Sequence, residues 1–221
     1  MRTIVFFGAP GSGKGTLAAR FSKHFDTKVV STGDLLRKHV FEKTRIGTHV
    51  ANILASGALV DDALVQEMLH DELASRQGQH LLLDGFPRTV SQARWLSTSL
   101  SDHARVTDAV VNLDVPERVI LGRIEARWIH APSGRTYNMQ FNPPKVTGLD
   151  DVTGEKLSKR PDDDLDTFRA RIENFKGTTF PVLQYYEGLG VLHTFQGETS
   201  DQLFPLVKHG VGRFFDKGLK A

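Results

Sequence analysis

The 221-residue chain contains no cysteine, which excludes disulfides and any thiolate-held metal. An intracellular protein is the natural reading of that absence. Neither charge dominates: 28 Lys and Arg stand against 26 Asp and Glu, a formal net charge of +2. Composition therefore gives no general argument for a nucleic-acid partner. No apolar run approaches the roughly 20 residues of a membrane helix, so no membrane insertion is expected. Met1 stands just before the first apolar run, so no cleavable presequence is expected. There is no internal repeat. The 9 histidines show no H-E-x-x-H or comparable metal spacing. With 39% hydrophobic and 24% charged residues, the chain can bury one large or two small domains.

Residues Gly8 to Thr16 read Gly-Ala-Pro-Gly-Ser-Gly-Lys-Gly-Thr. Ile4-Val5-Phe6-Phe7 precede them, and an amphipathic run with Leu17, Phe21 and Phe25 follows. That is strand, glycine loop, helix, and it matches G-x-x-x-x-G-K. Glycines let successive N–H groups turn inward as an anion nest, the helix N-terminus adds partial positive charge, and Lys14 adds a mobile full charge. One departure matters. The generic motif has Ser or Thr directly after Lys, but here Gly15 intervenes and Thr16 comes second. Any Mg²⁺ is therefore expected to be held largely through water.

Further on, strand and helix patterns alternate, which predicts an α/β fold: a doubly wound parallel sheet with helices on both faces. Lys28–Ser31 reads as a strand, and Thr32-Gly33-Asp34 opens a helix. Val50, Ile53 and Leu54 suggest another, ending at Gly57. Asp61-Asp62 starts a third, with a core stripe of Leu64, Met68, Leu69 and Leu73. His80–Asp84 is a buried strand followed by Gly85-Phe86-Pro87-Arg88, and a helix runs from about 89 to 100. In such a sheet, ligands collect at the carboxyl ends of the strands, which puts Asp84 and Arg88 beside the glycine loop. Asp108–Asp114 is the next strand, and Pro116 fits the first turn of the next helix. Arg123 and Arg127 are expected to share one face of that helix. From Trp128 to Lys159 the chain is rich in turn residues, and Arg135–Met139 alternates, so a small β-rich insert is expected. Asp162-Asp163-Asp164 starts a helix bearing Phe168, Ile172 and Phe175. A separate helix runs from about 180 to 186, a strand from 190 to 195, and a closing helix from 201 to 215.

At Gly8–Thr16, Thr32-Gly33-Asp34, Asp84-Gly85-Phe86-Pro87-Arg88 and Ser133-Gly134-Arg135 the sequence closely resembles the adenylate kinases. These transfer a phosphoryl group from a nucleoside triphosphate to AMP. The resemblance implies a core of residues 1–30, 61–125 and 164–221, an AMP-binding insert at 31–60 and a lid at 126–163. It implies a donor triphosphate on Gly11, Ser12, Gly13, Lys14, Gly15 and Thr16. The donor base would lie against Arg123, near Thr136 and Tyr137, with the Thr199 backbone on its far side, and Arg127 would reach donor phosphates. AMP would meet Thr32, Arg37, the Ala58-Leu59-Val60 stretch, Gly85, Phe86, Pro87, Arg88 and Gln92. Arg160 and Arg171 would bridge both substrates. Asp84, with Thr16, would order the water shell of Mg²⁺. The Phe86-Pro87 bond is expected to be cis by the same resemblance.

Some members of that family knit the lid with a four-cysteine zinc. Here the equivalent positions are His130, Ser133, Asp150 and Thr153. These groups can hydrogen-bond to one another, so a polar cluster and no structural zinc are expected. Ala126-Arg127-Trp128-Ile129-His130, Gly190–Phe195 and Gly197-Glu198-Thr199 look like the mitochondrial GTP:AMP phosphotransferase branch. Trp128 stands where many ATP-using members carry arginine. GTP is thus the favoured donor with ATP the alternative, and the mitochondrial matrix the favoured location with the cytoplasm the alternative. A monomer acting on small nucleotides is implied. A UMP/CMP kinase is the rival enzyme; the long lid, Thr32 and Gln92 favour AMP. A GTP-binding switch would need a guanine-reading Asn-Lys-x-Asp, which is absent. A non-catalytic nucleotide sensor would not need so many arginines.

Overall fold

The computed structural model describes residues 1–160 and 163–215. Asp162, expected in a helix start, lies outside the described residues, as do Pro161 and the end of the core segment at 216–221.

Five strands form one parallel sheet: β1 (Thr3–Gly8), β2 (Thr27–Ser31), β3 (His80–Asp84), β4 (Ala109–Asp114) and β7 (Leu192–Gln196), in the order β2-β3-β1-β4-β7. Every residue of the central β1 is buried, as a parallel strand covered on both faces requires. Alternate side chains go to opposite faces. Val5 and Phe7 join Leu81, Leu83 and Val110 in one cluster, which packs on α4 (Asp62–Ser75), α5 (Val90–Asp102) and α8 (Phe180–Gly188). Ile4 and Phe6 join Leu82, Val111 and Leu113 in the other, which packs on α1 (Lys14–Phe25), α6 (Glu117–Glu125), α7 (Leu165–Asn174) and α9 (Ser200–Val211). Burying one such Leu or Phe side chain is worth about 1.5–3 kcal/mol, so the sheet is the rigid platform.

Register decides what meets at its upper edge. Phe6 lies opposite Asp84, Ser31 opposite Asp84, and Gly8 opposite Leu113. The turns leaving β1, β2 and β3 therefore leave from neighbouring points. Between β2 and α4 run α2 (Thr32–Phe41) and α3 (Arg45–Ala55). Each has a side-chain N-cap: Ser31 accepts from Asp34 N–H and Thr44 from Gly47 N–H. Gly47 is required where the two helices meet, because a Cβ there would sit 1.9 Å from the His39 carbonyl oxygen. After α6 comes a two-stranded antiparallel ribbon, β5 (Arg127–Ile129) with β6 (Thr136–Asn138).

Several local expectations are corrected. Arg127 does not continue the helix of Arg123: α6 stops at Glu125 with Ala126 as its cap, and Arg127 opens β5. The Asn138 amide donates to the Arg123 carbonyl, so the ribbon takes up a helix-end acceptor and stops the helix. Pro116 is the N-cap of α6 rather than part of its first turn. The helices on either side of residue 177 are not separate. α7 runs into a π-helical turn, Phe175–Thr179, and on into α8. Pro181 explains it: proline lacks an N–H and crowds the carbonyl four residues back, and a wider turn relieves both. The closing helix ends at Val211 and passes into a 3-10 turn, Gly212–Phe214.

Candidate active site

The chain between β1 and α1 turns on glycines. Gly11 (φ 80°) and Gly13 (φ 94°) are left-handed, a conformation that costs other residues about 1 kcal/mol or more. Gly13 is also the N-cap of α1 and supplies no side-chain cap. The first N–H groups of α1, including those of Lys14, Gly15 and Thr16, are thereby left for an anion. Ser12 is buried, and its N–H donates to Ala9 O at 3.0 Å. Thr16 is exposed in the first turn.

The Lys14 ammonium folds back over this loop and donates to Gly8 O at 2.7 Å and Ala9 O at 3.0 Å. Burial lowers its pKa to about 8; Asp84 opposes that, while the charges of Arg88, Arg171 and Arg127 push the same way. Four cationic side chains from four parts of the chain thus act on one point beside the glycine loop.

Asp84 ends β3, and its Oδ2 would lie 3.7 Å from a Cβ on Gly15. Burial raises its pKa, against the pull of Lys14, and Asp34, Arg88 and Arg37 also act on it. The following Gly85 has φ 81° and the Phe86-Pro87 bond is cis. Phe86 is buried edge-on against Trp95. The Gly85 carbonyl accepts from Thr32 Oγ1 at 2.9 Å and from Arg88 Nε at 2.8 Å. That one carbonyl ties the turns after β2 and β3 together. Gln92 has its amide engaged at both ends: it donates to Asp62 at 2.6 Å and accepts from Arg88 N–H at 2.7 Å. It holds the 85–88 turn against α4. Arg37 donates to Asp34 at 2.5 Å, and although burial opposes it, Arg37 holds that carboxyl below its usual value. Ala58, Leu59 and Val60 form the connection from α3 to α4. The Asn174 amide of α7 donates to Gly57 O at 3.1 Å and brings this stretch to the helix that bears Arg171.

On the other side, Arg123 clamps the glycine loop, donating to Ser12 O at 2.8 Å and to Glu198 O at 2.5 Å. Its guanidinium lies 5.8 Å from the Phe141 ring centre. Arg127 is gripped bidentately by Asp163, with Nε to Oδ2 at 2.7 Å, and both side chains are largely buried, 13% and 3% exposed. Arg160 donates to Thr136 Oγ1 at 3.3 Å and its charge acts on Asp34. A Cβ on Gly134 would lie 3.8 Å from the same Asp34 carboxylate, so the hairpin loop between β5 and β6 reaches α2. Tyr137 is buried, donating to Asp150 at 2.8 Å and accepting from Asp151 N–H at 2.9 Å. Its ring belongs to the hairpin's interior. The Thr199 side chain caps α9 in a capping box with Gln202.

His130, Ser133, Asp150 and Thr153 do meet. Ser133 Oγ lies 2.7 Å from His130 Nδ1, and Thr153 Oγ1 donates to Asp150 at 3.0 Å. Arg135 joins bidentately to Asp150, at 2.8 and 2.6 Å, and its hydrogen bonds hold that carboxyl well below the usual carboxylate range. Glu155 accepts from His130 Nε2 at 2.5 Å. Among the described residues no cluster of three His, Asp or Glu side chains has the form of a metal shell.

Three partners were not legible as such. Asp163 stands in an acidic run that reads as a helix start, yet it is Asp164 that caps α7. Asp34 pairs locally, with Arg37 one turn on in α2, whereas Glu155 meets the His130 imidazole only through the fold of the hairpin. A groove of about 760 Å³ lined by His193, Lys208, His209 and Arg213 shares no residue with the glycine loop. It is the convergence of charge, rather than the size of a cavity, that marks the site.

A family model described as adenylate kinase matches residues 6–191. The mitochondrial GTP:AMP phosphotransferase of Saccharomyces cerevisiae is 44% identical over 207 residues, 91% of this chain and 88% of its own length. That of Drosophila melanogaster is 40% identical over 204 residues, 92% of each chain. With the glycine loop, Asp84, the cis turn and the gathered arginines in one place, the chain belongs to the adenylate kinase family, and it is a phosphotransferase.

Proposed function

We propose that this protein moves the terminal phosphoryl group of GTP to AMP, with ATP the less favoured donor, in mitochondria and within them the matrix. The observation that carries it is the glycine loop itself: left-handed Gly11 and Gly13, an α1 N-terminus with no side-chain cap, the Lys14 ammonium on the Gly8 and Ala9 carbonyls, and Arg123 on Ser12 O. In-line phosphoryl transfer asks little covalent chemistry of the protein. It needs two polyanions held end to end, and charge stabilised on the moving oxygens. Arginine suits this because its planar fork grips phosphate bidentately and stays charged.

In this reading the donor triphosphate lies on Gly11 to Thr16, with Lys14 leaving the Gly8 and Ala9 carbonyls for the outer phosphates. Its base stacks on Arg123, beside Thr136 and the backbone of Tyr137 and Thr199. Arg127 exchanges Asp163 for donor phosphate. AMP occupies the floor formed by Thr32, Arg37, Ala58–Val60 and Gly85–Arg88, with Gln92 setting the turn. Arg37 exchanges Asp34 for the AMP phosphate, and Arg160 and Arg171 bridge. Residues 31–60 act as the AMP-binding insert and 126–163 as a lid that excludes water and so suppresses hydrolysis. Asp84 fits Mg²⁺, which keeps most of its waters and needs one carboxylate beside the nucleotide phosphates; bound there, the ion would neutralise phosphate charge. The polar cluster around Asp150 stands in for a structural zinc. The protein works as a monomer on soluble nucleotides.

A coupled assay of GTP and ATP against AMP, UMP, CMP and GMP tests this. Fastest turnover with GTP and AMP supports it; UMP or CMP as the better acceptor, or GTP hydrolysis indifferent to AMP, overturns it.

A further inference from the structure

Glu198 has no role in the reading above, yet it touches the expected base platform. Its carbonyl accepts from Arg123 Nη2 at 2.5 Å, and its N–H donates to Gln202 Oε1 at 2.8 Å. The neighbouring Thr199 is engaged by the helix it caps: its hydroxyl and N–H pair with Gln202, and its carbonyl accepts from Leu203 N–H at 3.0 Å. The side chain of Glu198 is different. It is 45% exposed, and its Oε1 is held by Arg118 from the first turn of α6. Among the described residues Oε2 makes no hydrogen bond. The residue whose backbone carbonyl Arg123 holds thus carries a carboxylate oriented by a second arginine, Arg118, while Arg123 itself is spread between the glycine loop and Phe141.

We propose that Glu198 is the residue that selects guanine over adenine in the donor. This rests on the reading of Arg123 as the platform for the donor base. A base stacked on that guanidinium has its edge next to residue 198. The guanine edge offers two donors, N1–H and the 2-amino group, spaced for the two oxygens of a carboxylate. Adenine puts the N1 lone pair in the same place, where it meets the carboxylate as acceptor against acceptor. Arg118 holds the carboxylate in position, so the discrimination is built before the nucleotide arrives.

The test uses the full chain with saturating AMP and varies GTP, ITP and ATP. ITP keeps N1–H and lacks the 2-amino group. In the wild type kcat/KM should fall in the order GTP, ITP, ATP. Glu198→Gln should lower kcat/KM for GTP by about 10- to 100-fold, the scale of one good bidentate contact to a base edge. It should also nearly erase the difference between GTP and ITP. Glu198→Asp, which keeps the charge but draws it back by one methylene, should fall between. If the three donors are depressed alike, Glu198 serves only to hold Arg118, and the proposal is overturned. An unchanged GTP-to-ATP ratio in Glu198→Gln also overturns it, while leaving the GTP-dependent function intact. A wild type that prefers ATP removes the GTP reading itself, and Glu198 as a guanine reader with it.

Discussion

Lys14 should take up a proton when nucleotide binds above neutral pH. In the empty site its ammonium is buried among Arg88, Arg171 and Arg127, and its pKa is lowered from 10.5 to about 8. A polyphosphate supplies the missing counter-charge and should return the pKa to the ordinary lysine range or above. The depressed pKa favours the neutral form, so the bound state holds more protons than the free state through the window from about 8 to 10.5. At pH 9 about nine-tenths of a proton should be taken up per site, at pH 8 about half, and at pH 7 about a tenth. Donor affinity should then weaken about tenfold between pH 7 and pH 9 through this group alone. Phosphate itself adds little there, since its second ionisation lies near pKa 6. Calorimetry of GTP binding in buffers of different ionisation enthalpy reads the uptake directly. Lys14→Met should abolish both the uptake and the pH dependence. Uptake near zero at pH 9 in the wild type would refute the picture of a lysine crowded by arginines. The same depressed pKa has a sign for folding. The unfolded chain binds more protons between about pH 8 and 10.5, so this group makes the empty protein gain stability with rising pH over that window.

Other consequences are simpler to read. Arg88→Ala should lower kcat by about 10²- to 10³-fold with circular dichroism unchanged; near-normal turnover would refute its place beside the transferred group. Asp163→Asn should weaken a largely buried pair and cost about 1–3 kcal/mol in the empty protein. Because phosphate can replace that carboxylate on Arg127, the rise in Tm on adding GTP should be larger in the variant than in the wild type; an equal rise would speak against Arg127 as a phosphate ligand. Asp150→Ala removes the acceptor shared by Arg135, Tyr137 and Thr153. Amide exchange should quicken across 127–157 while the sheet keeps its protection; a uniform loss would contradict a locally knit lid. Leu82→Ala, at a fully buried site in β3, should cost about 2–5 kcal/mol by urea titration.

Much of this was readable from residues alone because parallel strands buried on both faces are continuous apolar runs. Ile4–Phe7 and Leu81–Leu83 announce themselves, and the turns that follow them carry the chemistry. Periodicity failed where the partner was distant. Nothing in the i, i+4 spacing of Arg123 and Arg127 says that Asn138 ends the helix between them. Nothing in Asp163 says that its charge meets Arg127, 36 residues away. Tyr137, Gln92 and Thr199 were expected at the nucleotides, and their side chains serve the hairpin, the 85–88 turn and the α9 cap. The π turn at Phe175–Thr179 was hidden because the apolar stripe gave two helices, one bearing Phe168, Ile172 and Phe175 and one from about 180, whereas a wider turn carries the helix through.

The most direct measurement is a crystal structure with a bisubstrate analogue, guanosine and adenosine joined through five phosphates. Nitrogen atoms of Lys14, Arg88, Arg127, Arg160 and Arg171 should lie within about 3 Å of its phosphate oxygens, with Arg127 parted from Asp163. Guanidinium groups that stay on their carboxylates while the phosphates lie elsewhere would contradict the central claim.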